Sequence, residues 1–269
     1  MQQELVFTKE EWQAAVPAVV AGMKSFLGAY RTPIFKDYGD HGEGWGSGSY
    51  IRLGERRFVI TNEHVATVRH QNQSLAHQLL NDDDLYRIVG DHAENPLPLD
   101  LAVLPVSAQA WAAKSHGSRA IDIDQIALAH DPVPSELLTF TGFSGEATDF
   151  HFNTLHTQGT CYTAREADLP EDPRFDRRYH FGIDYRPDLA IRVDGNRGLP
   201  MPPGLSGSTV WNTRFVAAKM TGVAWSPEMA QVTGVVWGWP SSVGLLVATR
   251  SEYLRSFLLG AGRALQIGH

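Results

Sequence analysis

Three short segments of this chain carry side chains whose types could do chemistry together. The first, Gly44 to Ala66 (GWGSGSYIRLGERRFVITNEHVA), places His64 just beyond an apolar run. A histidine at a strand end is held by its backbone and leaves its ring free to face a cleft. The second, Leu99 to Leu104 (LDLAVL), sets Asp100 against an apolar strand. A carboxylate there is partly buried and needs a donor such as an imidazole N–H. The third, Pro203 to Val210 (PGLSGSTV), holds Ser206 at a glycine-rich bend before a strand. Glycines at such a bend permit unusual dihedrals and let another backbone approach closely. A serine hydroxyl attacks an amide only with an adjacent base to take its proton.

The elements around these segments are mostly strands. Arg57 to Thr61, Asp100 to Val106, Leu137 to Gly142, Leu155 to Tyr162, Tyr179 to Asp184, Ser208 to Trp211, Thr221 to Trp225, Thr233 to Trp237 and Val243 to Ala248 read as short strands between turn residues. Many short strands with turns between them mean a sandwich or barrel. The polar, turn-rich stretch Ala112 to Pro134 divides them into two groups and reads as a link. Ahead of the strands, Thr8 as N-cap with Glu11 as the other half of a capping box opens an amphipathic helix. Trp12, Val16, Val19, Val20 and Met23 line one of its faces. A second helix, Ser251 to Leu259, closes the chain with Tyr253, Leu254, Phe257 and Leu258 on one face.

GWGSGSYI, ITNEHVA, DLAVL, FTGFSG at 140 to 145 and GLSGSTV occur in the order His, Asp, Ser. That order separates this arrangement from the subtilisin and α/β-hydrolase versions of the same chemistry. Over about residues 42 to 250 the chain resembles the chymotrypsin-like (trypsin-like) serine peptidases, in particular the disulfide-free bacterial branch that includes the HtrA/Deg proteases. The resemblance implies an all-β fold of two packed six-stranded antiparallel β-barrels with an N-terminal and a C-terminal helix. The divisions it implies are 1–38 for the helical extension, 39–125 for the first barrel, 126–250 for the second and 251–269 for the C-terminal helix and tail. It implies a serine endopeptidase with Ser206 as nucleophile, His64 as general base and acid, and Asp100 fixing the His64 tautomer. The backbone N–H groups of Gly204 and Ser206 would form the oxyanion hole. A protein or peptide substrate is implied, with no metal and no organic cofactor, and bacterial relatives of this kind often act in stress or defence systems. The alternative is an inactive or conditionally activated binding module of the same fold, with its oxyanion loop collapsed.

Leu205 departs from the family, whose secreted members carry an aspartate there to pair with a freed N-terminus, so activation by that route is not expected. The loop Arg186 to Pro203 should wall the specificity pocket. Its last residues, Leu199 to Pro203, lack a carboxylate, which favours a small or apolar residue at the cleavage site. The strand that pairs with substrate is either Val223 to Trp225 or Val235 to Trp237.

Composition bounds the rest. One cysteine, Cys161, excludes an internal disulfide and is read as a small buried side chain. Lys and Arg number 23 against 30 Asp and Glu, for a net charge of −7, and no basic block marks a nucleic-acid surface. The apolar run Ala14 to Met23 follows Glu4, Glu10 and Glu11, the wrong charge for a secretory signal, and no stretch is long enough to span a bilayer. A cytoplasmic monomer without a membrane partner is expected. His41, His70, His77, His92, His116, His130, His151, His156, His180 and His269 are read as ordinary polar residues. His92 with Glu94, and Asp149 with His151 and His156, lack a closed ligand set at zinc spacing. Asp82 to Asp84 is read as an acidic loop.

Overall fold

The computed structural model describes residues 7–39, 41–113, 115–144, 148–151, 154–157, 159–186, 198, 201–240 and 244–266. The chain opens with α1 (Lys9–Leu27). Thr8 Oγ1 accepts the Glu11 N–H at 3.1 Å, and the Glu11 carboxylate accepts the Thr8 N–H at 2.8 Å, so the capping box forms as expected. Val19, Met23 and Leu27, spaced four apart, form its buried stripe.

Seven strands follow: β1 (Arg31–Asp37), β2 (Gly42–Leu53), β3 (Arg56–Thr61), β4 (Ser74–Gln78), β5 (Leu85–Arg87), β6 (Ala93–Asn95) and β7 (Leu101–Pro105). They make one antiparallel sheet in the order β5-β4-β1-β2-β3-β7-β6. The four-residue helix α2 (Glu63–Ala66) follows β3, and α3 (Ala108–Ala113) follows β7. The second sheet, also antiparallel, is ordered β11-β8-β14-β15-β16-β13-β12. Its strands are β8 (Leu138–Gly142), β11 (Thr160–Ala164), β12 (Glu166–Ala167), β13 (His180–Asp184), β14 (Thr209–Asn212), β15 (Gln231–Gly238) and β16 (Leu245–Arg250). Strands β9 (Thr148–His151) and β10 (Thr154–Thr157) pair with each other. Helix α4 (Phe215–Met220) lies between β14 and β15, and α5 (Ser251–Gln266) ends the described chain. The expected mostly-β fold of two antiparallel sheets flanked by helices is borne out, with seven strands in each sheet in place of six.

One buried cluster joins Met23 and Leu27 of α1, Ile51 and Ile60 of the first sheet, Trp211 and Val235 of the second, and Leu254 and Leu258 of α5. Burying apolar surface from both sheets and both helices in one core locks the halves together. The stretch read as a link is likewise strapped down, through single bridges from Ile121 to Ile51 and from Ile126 to Val232.

Three expectations change. Residues 1–38 are helical only to Leu27, because Arg31–Asp37 is a strand of the first sheet. Leu155 to Tyr162 divides between β10 and β11, which pair with different neighbours. Thr221 to Trp225 is not a strand. The buried Glu136 carboxylate accepts the N–H groups of Val216 and Ala217, both at 3.0 Å, and so starts α4 just upstream. Thr221 and Gly222 (φ +71°) then terminate that helix, and the Trp225 indole N–H reaches back to Thr213 O at 2.8 Å.

Candidate active site

The end of β3 delivers His64. Thr61 and Asn62 are fully buried, and the chain turns at Asn62 into α2, whose second residue is His64. Asp100 sits at a turn immediately before β7, with its N–H on Pro96 O at 3.2 Å and φ at +48°, a left-handed conformation that aspartate tolerates better than most residues. The turn aims the carboxylate back at α2. Asp100 Oδ1 accepts the His64 backbone N–H at 3.0 Å and Oδ2 lies 2.7 Å from His64 Nδ1. The Asp100 side chain is 3% exposed, while that of His64 is 47% exposed. The imidazole is thereby oriented from its buried edge, leaving Nε2 toward solvent. Asn62 Nδ2 donates to Asp100 O at 2.7 Å, which fixes the turn from beneath.

The second sheet also holds this turn. His180 and Thr249 stand opposite each other in the β13–β16 register. The His180 Nε2–H donates to Pro98 O at 2.6 Å and Thr249 Oγ1 to Leu99 O at 2.7 Å. Because His180 Nδ1 accepts the Asp176 N–H at 3.1 Å, the neutral ring carries its proton on Nε2. Burial lowers the His180 pKa, against the pull of the Pro98 carbonyl and of Asp100, and so favours that neutral form. The sequence offered only a polar residue in a strand at position 180; its reach to the Asp100 turn is tertiary.

Ser47 of β2 holds the Ser206 loop against the first sheet. The Ser47 N–H donates to Ser206 O at 2.8 Å and its Oγ donates to Gly204 O at 2.6 Å, while the same Oγ accepts the Phe143 N–H at 2.8 Å. Gly207 follows at φ +90°, and a Cβ there would lie 2.0 Å from Ser47 O and 2.4 Å from Thr61 Oγ1. A Cβ on Gly46 would lie 3.0 Å from Val65 Cγ1 and 3.6 Å from Ser206 O. The glycine at 46 therefore lies between the residue after His64 and the Ser206 main chain. A side chain at 207 would push the serine loop off the sheet that carries the His64–Asp100 pair, while one at 46 would crowd Val65.

Among the described residues, the hydrogen bonds of His64 end at Asp100 and none joins its ring to Ser206 Oγ. Contacts of this type are often long in unliganded catalytic sites and tighten around substrate. Within the serine loop the Leu205 N–H is taken by Pro202 O at 2.8 Å, whereas the N–H groups of Gly204 and Ser206 have no acceptor among the described residues. Leu205, where the family carries aspartate, is 1% exposed in the apolar interior of the second sheet with Leu138, Phe140 and Val236.

Of the two segments that could pair with substrate, Val235 to Trp237 lies in β15, whereas Val223 to Trp225 is not a strand. The Gly207 N–H donates to Val236 O, tying β15 directly to the serine loop. Of the loop from 186 to 203, residues 187–197, Leu199 and Pro200 lie outside the described residues, and so does the basis for a cleavage-site preference. The side chains of Asp149, His151 and His156, and all of His269, also lie outside them.

Several solved structures are similar to the chain at low identity. The serine protease domain of the Sesbania mosaic virus polyprotein is 13% identical over 86% of this chain and 92% of its own, with a TM-score of 0.46. A catalytically inactive tobacco etch virus protease complexed with substrate is 12% identical over 89% and 86%, with a TM-score of 0.47. Both are viral, and neither comes from the bacterial HtrA/Deg branch. No family model and no curated protein matches the chain. Likeness this distant carries nothing about activity, which has to be read from the site itself.

Proposed function

We propose that the protein is a serine endopeptidase of chymotrypsin-like type that cleaves peptide bonds through an acyl-enzyme on Ser206. The observation that carries this reading is the pinning of the serine loop by Ser47 onto the very strand pair that ends at His64, with the Gly204 and Ser206 N–H groups left without acceptors. In this reading His64 Nε2 takes the Ser206 proton as Oγ attacks the substrate carbonyl, then returns it to the leaving amine. Asp100, accepting from both Nδ1–H and the His64 backbone N–H, holds the ring in the tautomer that leaves Nε2 basic. Charge on the tetrahedral oxygen falls on the N–H groups of Gly204 and Ser206. An extended substrate segment adds beside the end of β15 beyond Val236, whose C=O and N–H are already bonded to the Gly207 N–H and Ser208 O. The substrate class is a peptide or protein. Neither a bacterial origin, a cytoplasmic location nor a role in stress or defence follows from the site; among the described residues no helix is long and apolar enough to cross a membrane.

A second reading, a conditionally active module, draws on the lack of a His64–Ser206 hydrogen bond. A fluorophosphonate probe separates the two. Labelling of the folded protein that disappears in Ser206→Ala supports the peptidase. A folded, unlabelled wild type would reject it in favour of the module.

A further inference from the structure

Outside the serine site, the sequence pairs His92 with Glu94 but supplies no further ligand. The fold supplies one. His70 lies in the 3-10 turn Thr67–Gln71 that continues directly from α2. His92 and Glu94 are two apart at the start of β6, where extended backbone projects both side chains to one face. His70 Nε2 lies 2.8 Å from Glu94 Oε1, and His92 Nε2 lies 3.4 Å from Glu94 Oε2. The two imidazole rings are 5.6 Å apart, and one ligand atom from each of the three residues falls within 4.8 Å of the others. Glu94 Oε2 is buried without a hydrogen-bond partner. A buried carboxylate oxygen left in that state is costly unless something electropositive reaches it.

We propose that His70, His92 and Glu94 form a binding site for a divalent transition-metal ion of the zinc class. Two imidazoles and a carboxylate are a borderline-soft, three-ligand set that suits Zn²⁺ and leaves a fourth position for water. Tetrahedral coordination with bonds of about 2.1 Å sets ligand atoms about 3.4 Å apart. His92 and Glu94 already stand at that separation. That separation is to Oε2, whereas His70 is bonded to Oε1, so a carboxylate that ligates through one oxygen has to give up the His70 contact and its proton, as metal binding requires.

The surroundings favour such an ion. Arg69 donates from Nη2 to Gly90 O at 2.9 Å, and its single charge is outnumbered by the carboxylates of Asp91 and Glu94. A bound ion would tie the turn that follows His64 to the strand paired with the start of β7, where Asn95 stands opposite Leu101.

The test is a Co²⁺ titration of the full chain, free of any histidine tag and stripped with chelator. Saturation at one Co²⁺ per chain with visible d–d bands of a four-coordinate ion, displaced by Zn²⁺, is expected. His70→Ala, His92→Ala and Glu94→Gln should each weaken binding by at least about tenfold. His70 is exposed, so His70→Ala keeps the test decisive even where His92→Ala fails to fold. Absence of saturable binding, or binding in folded His70→Ala equal to wild type, would overturn the proposal. None of these readouts depends on peptidase activity.

Discussion

Replacing Asp100 with asparagine changes one oxygen into an NH₂ group at a position where both oxygens are in use. Oδ1 takes the His64 backbone N–H at 3.0 Å and Oδ2 faces Nδ1 at 2.7 Å. The amide oxygen of asparagine can satisfy only one of these donors. Keeping it on the backbone N–H, which the short helix fixes, turns the NH₂ toward Nδ1. The ring then presents a lone pair at Nδ1 and carries its proton on Nε2, the atom that must be empty to accept from Ser206. The same exchange in a serine triad lowers turnover about ten-thousand-fold, equivalent to about 5 kcal/mol of transition-state stabilisation. The side chain keeps its volume and one acceptor, so folding should be nearly unaffected, within about 1 kcal/mol. The assay is the second-order rate of fluorophosphonate labelling beside a denaturant melt of the same preparation. The expected outcome is a rate lower by about 10⁴ with an unchanged melt. A labelling rate within about tenfold of wild type in a folded Asp100→Asn protein would refute the tautomer argument, and with it the role given to His64.

Two further outcomes follow from groups outside the triad. His77 is buried beside Tyr50, and burial lowers its pKa to about 4. The unfolded chain therefore binds a proton that the native state refuses between about pH 6.5 and 4, and stability present in full above 6.5 should fall by about 3 kcal/mol as the pH drops through that window. Urea melts at successive pH values measure this, and His77→Asn should flatten the slope; an equal slope in the variant would show that other groups carry it. Ser47→Ala removes the donor to Gly204 O and the acceptor of the Phe143 N–H, leaving two buried groups unpaired at about 1–3 kcal/mol each. Both the melting temperature and the labelling rate should fall together, and a drop in stability with unchanged labelling would detach Ser47 from the site.

What could be read from the sequence was whatever is decided locally. A capping box closes within one turn, so α1 was legible from Thr8 and Glu11. The runs around His64, Asp100 and Ser206 stood out because a polar residue abutting apolar strand or flanked by glycine is conspicuous in any context. The short strands β4, β5 and β6 are too brief to show alternation, and they form because β1, β4 and β7 offer them partners. TGVAW at 221 to 225 and TGVVW at 233 to 237 are nearly the same string, yet only the second is a strand. The difference lies in Glu136, which caps α4 from 80 residues upstream and commits the first copy to a helix end. His180, Thr249 and His70 were similarly illegible, since each acts on a segment that only folding brings near.

This division of labour bears on how the site is held. Asp100 is oriented by its own sheet through Asn62 and by the other sheet through His180 and Thr249. Ser206 belongs to the second sheet through Gly207 and Val236, yet its main chain is bonded to Ser47 of the first. Each half thus carries part of the other's positioning, and rotating one sheet against the other would break contacts at both Asp100 and Ser206 at once. The glycine at 207 sets how closely the sheets meet, because a Cβ there would occupy the space that the Ser47 carbonyl now fills. The apolar core shared by both sheets and both helices supplies the force that keeps this approach closed. The serine loop and the Asp100 turn are therefore registered by contacts between the sheets and not by either sheet alone, which is why the lack of a side chain at 207 matters to the geometry.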